Sequence, residues 1–346
     1  MKVPRHFSGS TQLLGMVLET RTADCAVFVH PPEPGIPRFF ASRFPKISVL
    51  YADHGLYTRD EQSRPDGVQS FFRHEWEGDP GVFDLAVIFF PKEKELAELM
   101  FSTVSAGLRQ EGDVLVVGPN RGGIRAAGSL VERYFGPVRE RRSARHALLL
   151  SGVRTVDPEP YQGTRRYKVR TGAGEITVVS IPGVFSHGEL DDGTALLLEA
   201  LGSPQFEAAL DWGCGSGAIG AALALGCPAG RVDLADSSPQ ALEATRRTLD
   251  ANGISGNVIP TDVFSGTPGR YDLIVTNPPF HEGLRTTTAV TGRMIGEAGK
   301  HLTRGGRLVL VSNSFLRYEQ ILGKHFGSVG TLAETTRFRV HECRRS

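Results

Sequence analysis

The sequence feature that most constrains the fold is a glycine-rich turn at 211–217, which reads Asp-Trp-Gly-Cys-Gly-Ser-Gly. It follows a short apolar stretch at 208–210 and precedes a run of small residues at 218–225, which favours a helix. Glycine has no Cβ, so the backbone of such a turn can approach a ligand closely and direct its amides towards it. The stretch therefore predicts a strand, a ligand-binding turn and a helix, the opening unit of a doubly wound α/β sheet.

The rest of the C-terminal half continues this alternation of strand and helix. Further strands are predicted at 231–235, 257–260, 273–276 and 306–312, with a last strand at 335–342 on an edge of the sheet. Helices are predicted at 190–201, 218–225, 238–252, 288–301 and 318–326, after a hairpin at 167–179. Elements of this length and order predict a Rossmann-like sheet with helices on both faces.

A second α/β unit precedes this one, and the two halves of the 346-residue chain can be aligned. The matching segments are 83–87 with 271–275, 108–117 with 302–311, and 134–138 with 325–329. This repetition predicts a duplicated domain. A Pro-, Gly- and Arg-rich connection begins near residue 157, and we place the boundary there, with domains at 1–155 and 156–346.

The two copies differ where a ligand would bind. His-Pro-Pro-Glu-Pro at 30–34 stands where the second copy has its glycine turn, and proline has no amide hydrogen to offer. Phe-Phe-Pro-Lys at 89–92 stands where the second copy has Asn-Pro-Pro-Phe at 277–280. We therefore predict a degenerate N-terminal copy without a cofactor site, which packs on the catalytic copy or grips the substrate.

The motif Asn277-Pro278-Pro279-Phe280 narrows the chemistry. The lone pair of a base amino group is delocalised into its ring, which makes the nitrogen a poor nucleophile. The Asn277 side-chain oxygen and the Pro278 carbonyl can each accept one N–H and aim the nitrogen at an electrophile. Two prolines fix this backbone, and Phe280 can stack on the flat base. These four residues are the predicted catalytic residues of an amine methyltransferase that uses S-adenosylmethionine.

Polar residues at the ends of the predicted strands complete a cofactor site. Asp236, followed by Ser237, ends the second strand of the unit, where an acid can bind two ribose hydroxyls. Asp262, followed by Val263, comes after the third strand and is placed for the adenine amine. The predicted cofactor-binding residues are Asp191, Thr194, Asp211, Gly213, Gly215, Gly217, Asp236, Ser237, Asp262, Val263 and Asn277.

Several of these residues have a structural interpretation as well. Asp211 fits a role in orienting the turn and cofactor better than one in catalysis, and Trp212 fits packing. Asp191 and Thr194 could cap the following helix or form a cofactor lid, and both interpretations stay open. The polar pair His-Glu at 281–282 could serve as acid and base, but it fits a solvated loop better.

Composition and charge exclude several classes of protein. The net charge of +1 gives no global attraction to nucleic acid, so RNA binding would depend on basic clusters at 121–125, 139–145 and 165–170. These clusters either contact phosphate or form a solvated face. The four cysteines form no Cys-x-x-Cys pair, which argues against a zinc site and against a disulfide framework. The scattered cysteines fit a reduced cytoplasmic protein, and we expect no metal. No apolar run approaches the ~18 residues of a membrane span.

The chain resembles the ribosomal RNA small subunit methyltransferase C family, the guanine-N2 methyltransferases of 16S rRNA. The resemblance is strong over about residues 168–340 and looser in the N-terminal half, where 91–92 and 118–123 carry it. In the C-terminal half it rests on segments 182–186, 190–194, 211–217, 252–253, 263–265 and 277–283. One departure is His-Gly-Glu at 187–189, where the family more often has Arg-Asp-Gly.

The resemblance implies two tandem class I methyltransferase domains, of which the first no longer binds cofactor. It implies methyl transfer from S-adenosylmethionine to the exocyclic amine of one guanosine on the small ribosomal subunit. It places cofactor contacts at Asp211, Gly213, Gly217, Asp236, Asp262 and Asn277, and the acceptor at 277–280. The alternatives are methylation of large-subunit RNA, a protein glutamine or an adenine, and a non-enzymatic RNA-binding or ribosome assembly factor. We expect a monomer.

Overall fold

The computed structural model describes residues 3–157, 159–278, 285–316 and 318–346, with the backbone alone for 285–290. The chain forms two compact units, Met1–Gly163 (unit 1) and Thr164–Ser346 (unit 2). The first unit thus ends at Gly163 rather than at residue 155, where we placed the boundary. Each unit contains one seven-stranded sheet with helices, which confirms the predicted α/β class.

Unit 1 is built on the first of these sheets. Its strands are β1 (Cys25–Val29), β2 (Lys46–Leu50), β3 (Val68–Phe71), β4 (Phe83–Phe89), β5 (Leu108–Pro119), β6 (Glu140–Ala144) and β7 (Ala147–Val153). Its helices are α1 (Gly9–Leu18), α2 (Ile36–Phe40), α3 (His54–Glu61), α4 (Lys94–Gly107) and α5 (Ala127–Tyr134). The strand order is β3-β2-β1-β4-β5-β7-β6, and only β7 runs antiparallel to its neighbours.

Unit 2 opens with a hairpin of β8 (Arg165–Thr171) and β9 (Gly174–Ser180), as predicted. Its sheet contains β10 (Ala208–Trp212), β11 (Arg231–Asp236), β12 (Asn257–Pro260), β13 (Tyr271–Thr276), β14 (Leu302–Asn313), β15 (Ser328–Glu334) and β16 (Phe338–Arg344). Its helices are α6 (Asp192–Leu201), α7 (Ala218–Gly226), α8 (Pro239–Asn252), α9 (Arg285–His301) and α10 (Tyr318–His325). The order is β12-β11-β10-β13-β14-β16-β15, with β16 antiparallel.

The two sheets share their strand order and brace their central strands in the same way. In unit 1, Asp84 Oδ2 at the start of β4 accepts the two backbone N–H groups of residues 24–25, at 2.9 Å each. In unit 2, Asp272 Oδ2 at the start of β13 accepts the N–H groups of residues 207–208, at 2.9 and 3.1 Å. Asp84 and Asp272 are aligned in the predicted repeat, so this shared brace supports the duplication.

The structure differs from the prediction at the edges of the two sheets. The predicted edge position of 335–342 is wrong, because β16 lies between β14 and β15 and buries Val340 and Cys343. The edge strand on this side of the sheet is β15, and its residues are mostly exposed, so no alternation of apolar and polar residues marks it. The same holds for β6, whose residues are nearly all exposed and which we noted only as a basic cluster.

Buried side chains cover both faces of the unit 2 sheet and fix the position of its strand ends. Ala209 of β10 belongs to a core with helices α6, α7 and α8, whereas Leu210 belongs to a core with α9 and α10. Alternate residues of a strand face opposite sides, so Asp211 points towards the first of these cores and Trp212 towards the second. In the part of the chain that the structure describes, no helix has the length and apolarity to cross a membrane.

Candidate active site

The glycine-rich turn leaves the carboxyl end of β10, the central strand of the unit 2 sheet. Gly213, Gly215 and Gly217 all have a left-handed φ, of 73°, 55° and 78°, which other residues rarely adopt. A Cβ at Gly217 would lie 3.1 Å from Thr245, whereas nothing lies within 4 Å of one at Gly213. The open space beside Gly213 fits a bound ligand that approaches the backbone closely.

We expected the turn to direct its backbone amides to a ligand, but those of Gly213, Cys214 and Gly215 bond within the protein. The N–H groups of Gly213 and Cys214 both donate to the carbonyl of Ala235, at 2.8 and 3.0 Å. The N–H of Gly215 donates to Asp236 Oδ2 at 3.0 Å. The neighbouring strand β11 therefore satisfies these amides, and the turn offers its bare Cα surface instead.

Two residues from neighbouring elements hold the turn in place. Asp236 accepts from Gly215 and, through Oδ1, from the N–H of Ser238 at 2.9 Å, which joins the turn to the start of α8. The hydroxyl of Thr245 donates to the Gly215 carbonyl at 3.1 Å. Thr245 is fully buried in α8. Thr245 was not predicted, because a single threonine inside a helix forms no motif. The feature that could have identified it is a polar residue on the buried face of α8. The predicted Ser237 follows Asp236 and is half-buried.

Asp211 is buried beneath the turn and is only partly satisfied. Its Oδ2 accepts the N–H of Gly220 at 2.8 Å, whereas its Oδ1 is buried without a hydrogen-bond partner among the described residues. Burial raises the pKa of Asp211 to about 7, the amide of Gly220 opposes this rise, and the charge of Asp236 adds to it. A buried oxygen without a donor fits a ligand that brings an N–H group or a positive charge.

Trp212 fixes the loop that follows β12. Its side chain is buried, and its indole N–H donates to the carbonyl of Val263 at 2.5 Å, which confirms the packing interpretation. Val263 has a left-handed φ of 60°, and the hydroxyl of Thr261 also donates to its carbonyl, at 3.1 Å. Asp262 lies in this loop, with Arg293 Nη1 3.7 Å from its carboxylate. The loop is therefore well ordered by hydrogen bonds, and its contact with adenine stays a prediction.

Asn277 lies at the same edge of the sheet as the glycine turn. Strand β13 pairs in parallel with β10, with Asp211 opposite Val275, so the two turns leave adjacent strand ends. The Asn277 side-chain Nδ2 donates to Asp191 Oδ2 at 2.9 Å and to Thr194 Oγ1 at 2.8 Å. The structure thus brings three of the predicted site residues into direct contact.

Asp191 and Thr194 come from the start of α6. Asp191 is the N-cap of this helix, and its Oδ2 accepts the N–H of Thr194 at 3.0 Å, which confirms the capping interpretation. Their role as a cofactor lid stays a prediction. Pro278 is buried directly after Asn277. The predicted residues that lie outside the described part of the chain are Pro279, Phe280, His281 and Glu282.

The arginine and lysine side chains of the three basic clusters lie at exposed positions. The cluster at 139–145 includes strand β6, the cluster at 165–170 lies on β8, and the cluster at 121–125 precedes α5. Exposure is consistent with phosphate contact and with a solvated face alike, so RNA contact by these clusters stays a prediction. Among the described residues, no group of three or more His, Cys, Asp or Glu side chains could hold a metal ion.

Unit 1 fills the corresponding place with its own side chains. His30 follows β1 as Gly213 follows β10, and it has a left-handed φ of 53°. The carboxylate of Glu33 accepts the backbone N–H of Ser8 at 2.9 Å and the hydroxyl of Thr11 at 2.6 Å, at the N-terminus of α1. These contacts support the predicted loss of the cofactor site in this copy.

A doubly wound sheet with a glycine turn is shared by dinucleotide-binding and S-adenosylmethionine-binding proteins. Asn277-Pro278 at the end of the next strand places the chain in the second class, the S-adenosylmethionine-dependent methyltransferases. The family model "Methyltransferase small domain" matches residues 175–342, and "Methyltransferase small domain N-terminal" matches residues 22–164. A relative from Pseudomonas aeruginosa (strain LESB58) is 41% identical over 278 residues, which cover 79% of this chain and 83% of that one. That relative is named ribosomal RNA small subunit methyltransferase C, and the chain belongs to this family.

Two further similarities extend over most of the chain. A relative of the same name from Aeromonas hydrophila is 36% identical over 312 residues, which cover 89% of this chain and 90% of that one. The solved T. thermophilus 16S rRNA N2 G1207 methyltransferase, in complex with AdoMet and guanosine, is similar with a TM-score of 0.82. It is 25% identical, and the match covers 96% of this chain and 91% of that one. The predicted family is therefore confirmed.

Proposed function

We propose that this enzyme transfers a methyl group from S-adenosylmethionine to the exocyclic N2 amine of a guanosine in 16S rRNA, on the small ribosomal subunit. The observation that carries the proposal is Asn277, held by two hydrogen bonds on the strand next to the glycine turn. The names of the relatives support the substrate, and the T. thermophilus relative was solved with AdoMet and guanosine. We also propose a monomer in the cytoplasm, where ribosomal subunits are found.

We assign the cofactor to the open side of the glycine turn. The space at Gly213 admits the ligand against the backbone, and Asp211 offers a buried carboxylate oxygen for its amino group. Asp236 serves the ribose hydroxyls, and Asp262 serves the adenine amine. When bound, the cofactor supplies an electrophilic methyl group on a sulfonium sulfur.

The chain's own contribution to the reaction is to position the base. Asn277 Oδ1 accepts one N–H of the guanine amine and the Pro278 carbonyl accepts the other, so the nitrogen lone pair is directed towards the methyl group. Phe280 stacks on the base. Methyl transfer leaves the exocyclic nitrogen positively charged with both its protons, and this cation is a strong acid that loses one proton to water. No side chain is therefore needed as a general base.

Methylation of purified ribosomal subunits from a strain that lacks the protein tests the proposal. With labelled cofactor, we expect label in 16S rRNA of small subunits, at the equivalent of the guanosine that the T. thermophilus enzyme modifies. Label in large subunits, label in a ribosomal protein, or no label at all would refute the proposal.

Asn277→Ala tests the assigned role of the acceptor residue. We expect turnover to fall about 10²- to 10³-fold, as for loss of a polar group that acts on the transition state, with little change in cofactor affinity by calorimetry. Asn257→Ala, at an exposed position in β12, is the control and should retain full turnover. Wild-type turnover by Asn277→Ala would remove that residue from the mechanism.

A further inference from the structure

We infer that Asp191 and Thr194 are positioning residues, which orient the side-chain amide of Asn277 so that its oxygen faces the substrate amine. This inference rests on the proposed function, because it assigns an acceptor role to Asn277 Oδ1. It goes beyond that function in tying the reaction to the first turn of α6.

The hydrogen bonds of Asn277 leave one orientation of its amide. Both N–H groups of Nδ2 have a partner, Asp191 Oδ2 at 2.9 Å and Thr194 Oγ1 at 2.8 Å. An ionised carboxylate can only accept, so a flipped amide would bring Oδ1 against Asp191 as a second acceptor and lose that bond. The Thr194 hydroxyl can donate as well as accept, so the carboxylate of Asp191 decides the orientation. Asn277 Oδ1 is therefore held pointing away from the carboxylate of Asp191.

The two partners of Asn277 are themselves fixed. Asp191 Oδ2 also accepts the N–H of Thr194 at 3.0 Å as the N-cap of α6, and the Thr194 hydroxyl lies 3.5 Å from the same oxygen. Thr194 is buried, with 8% of its surface exposed. The three residues form a closed hydrogen-bonded set, although Asn277 is more than 80 residues away along the chain. Capping alone does not account for this set, because an N-cap needs only the bond from Thr194 N–H.

The carboxylate also affects the strength of the acceptor. Donation from Nδ2 to a negative charge polarises the amide and increases electron density on Oδ1. The substrate amine thus meets a stronger acceptor than an amide in water would offer, in an orientation set before the substrate arrives.

A pair of substitutions at Thr194 separates positioning from packing. Thr194→Val keeps the shape of the side chain and removes the hydroxyl, whereas Thr194→Ser keeps the hydroxyl and removes a methyl group. If the hydroxyl orients Asn277, we expect the Val variant to lose about 10-fold in kcat and the Ser variant to stay close to wild type. The KM for cofactor should change in neither. Asp191→Ser retains a good N-cap but withdraws the carboxylate, and its kcat should fall about 10- to 100-fold at an unchanged Tm.

A measurement without substrate makes the test independent of the reaction. In the protein alone, the side-chain amide protons of Asn277 should exchange with water faster in Thr194→Val than in wild type or Thr194→Ser, as followed by NMR. A Ser variant slower in turnover than the Val variant would indicate packing and overturn the inference. Weaker cofactor binding at unchanged kcat would overturn it in favour of a lid. If the wild-type enzyme methylates no 16S rRNA, the proposed function fails. Equal amide exchange in the wild type and all variants would reject the positioning role, whatever the outcome of the methylation assay.

Discussion

Asp211 is expected to make the stability of unit 2 depend on pH through the neutral range. Burial raises its pKa to about 7 from an ordinary value of 3.8, so the folded state holds a proton that the unfolded chain has released. A carboxyl with a raised pKa in the folded state costs stability as pH rises above 3.8, and the cost is complete above about pH 7. At 1.36 kcal/mol for each pH unit, the cost is about 2 kcal/mol at pH 5 and about 4 kcal/mol at pH 8. The side chain of Asp211→Asn does not titrate. Between pH 5 and pH 8, the free energy of unfolding of the wild type should therefore fall by about 2–3 kcal/mol more than that of the variant.

Urea unfolding of unit 2 by tryptophan fluorescence measures this difference. The two tryptophans are Trp76 in unit 1 and Trp212 in unit 2, so a Trp76→Phe background leaves a reporter next to Asp211. Asp272→Asn is the matched control. Burial opposes ionisation of Asp272, but hydrogen bonds from Ala208, Thr303 and Glu207 lower its pKa overall. Its contribution to the pH dependence of stability is therefore confined to acid pH, and Asp272→Asn should leave the slope between pH 5 and pH 8 unchanged. Equal pH slopes for wild type and Asp211→Asn would refute the assignment of a buried, late-titrating carboxyl.

Two further substitutions, Gly220→Ala with Gly299→Ala as its control and Phe89→Asn, test the packing beneath the glycine turn and the loss of the cofactor site in unit 1. Gly220→Ala would place a Cβ 2.1 Å from Leu234 Cδ2, and we expect it to lower the free energy of unfolding by about 1–3 kcal/mol. In the control Gly299→Ala, no atom lies within 4 Å of the new Cβ, so the change should be neutral or stabilise by up to about 1 kcal/mol. Equal losses of unfolding free energy in both variants would contradict the steric explanation. Phe89→Asn restores only the acceptor residue of unit 1, so calorimetry should still find one cofactor per chain. Two would contradict the loss of the first site.

The sequence predicted the parts of the site that lie at strand ends. Asp236 is the last residue of β11 and Asn277 follows β13, and parallel strands bring such ends to one edge of the sheet. The glycine turn could be predicted because its three glycines lie within one seven-residue segment, at every second position.

Contacts between distant segments could not be predicted. The bond from Asn277 to Asp191 joins residues 86 positions apart, and nothing local to either residue reveals it. The amides of the turn were expected to be available, and the carbonyl of Ala235 and the carboxylate of Asp236 from a neighbouring strand use them instead. Strand β15 was missed because an exposed edge strand has no buried face to impose a pattern.

The carboxylate of Glu33 gives unit 1 an internal substitute for a small molecule at the start of α1. On the proposed assignment, unit 2 instead holds a small molecule, the methyl donor, at its glycine turn. Ligand binding stabilises only the fold that binds it, by about 2.7 kcal/mol at a hundred times Kd. When the methyl donor is scarce in the cell, we therefore expect the catalytic half to be more susceptible to heat and proteolysis than when the donor is bound.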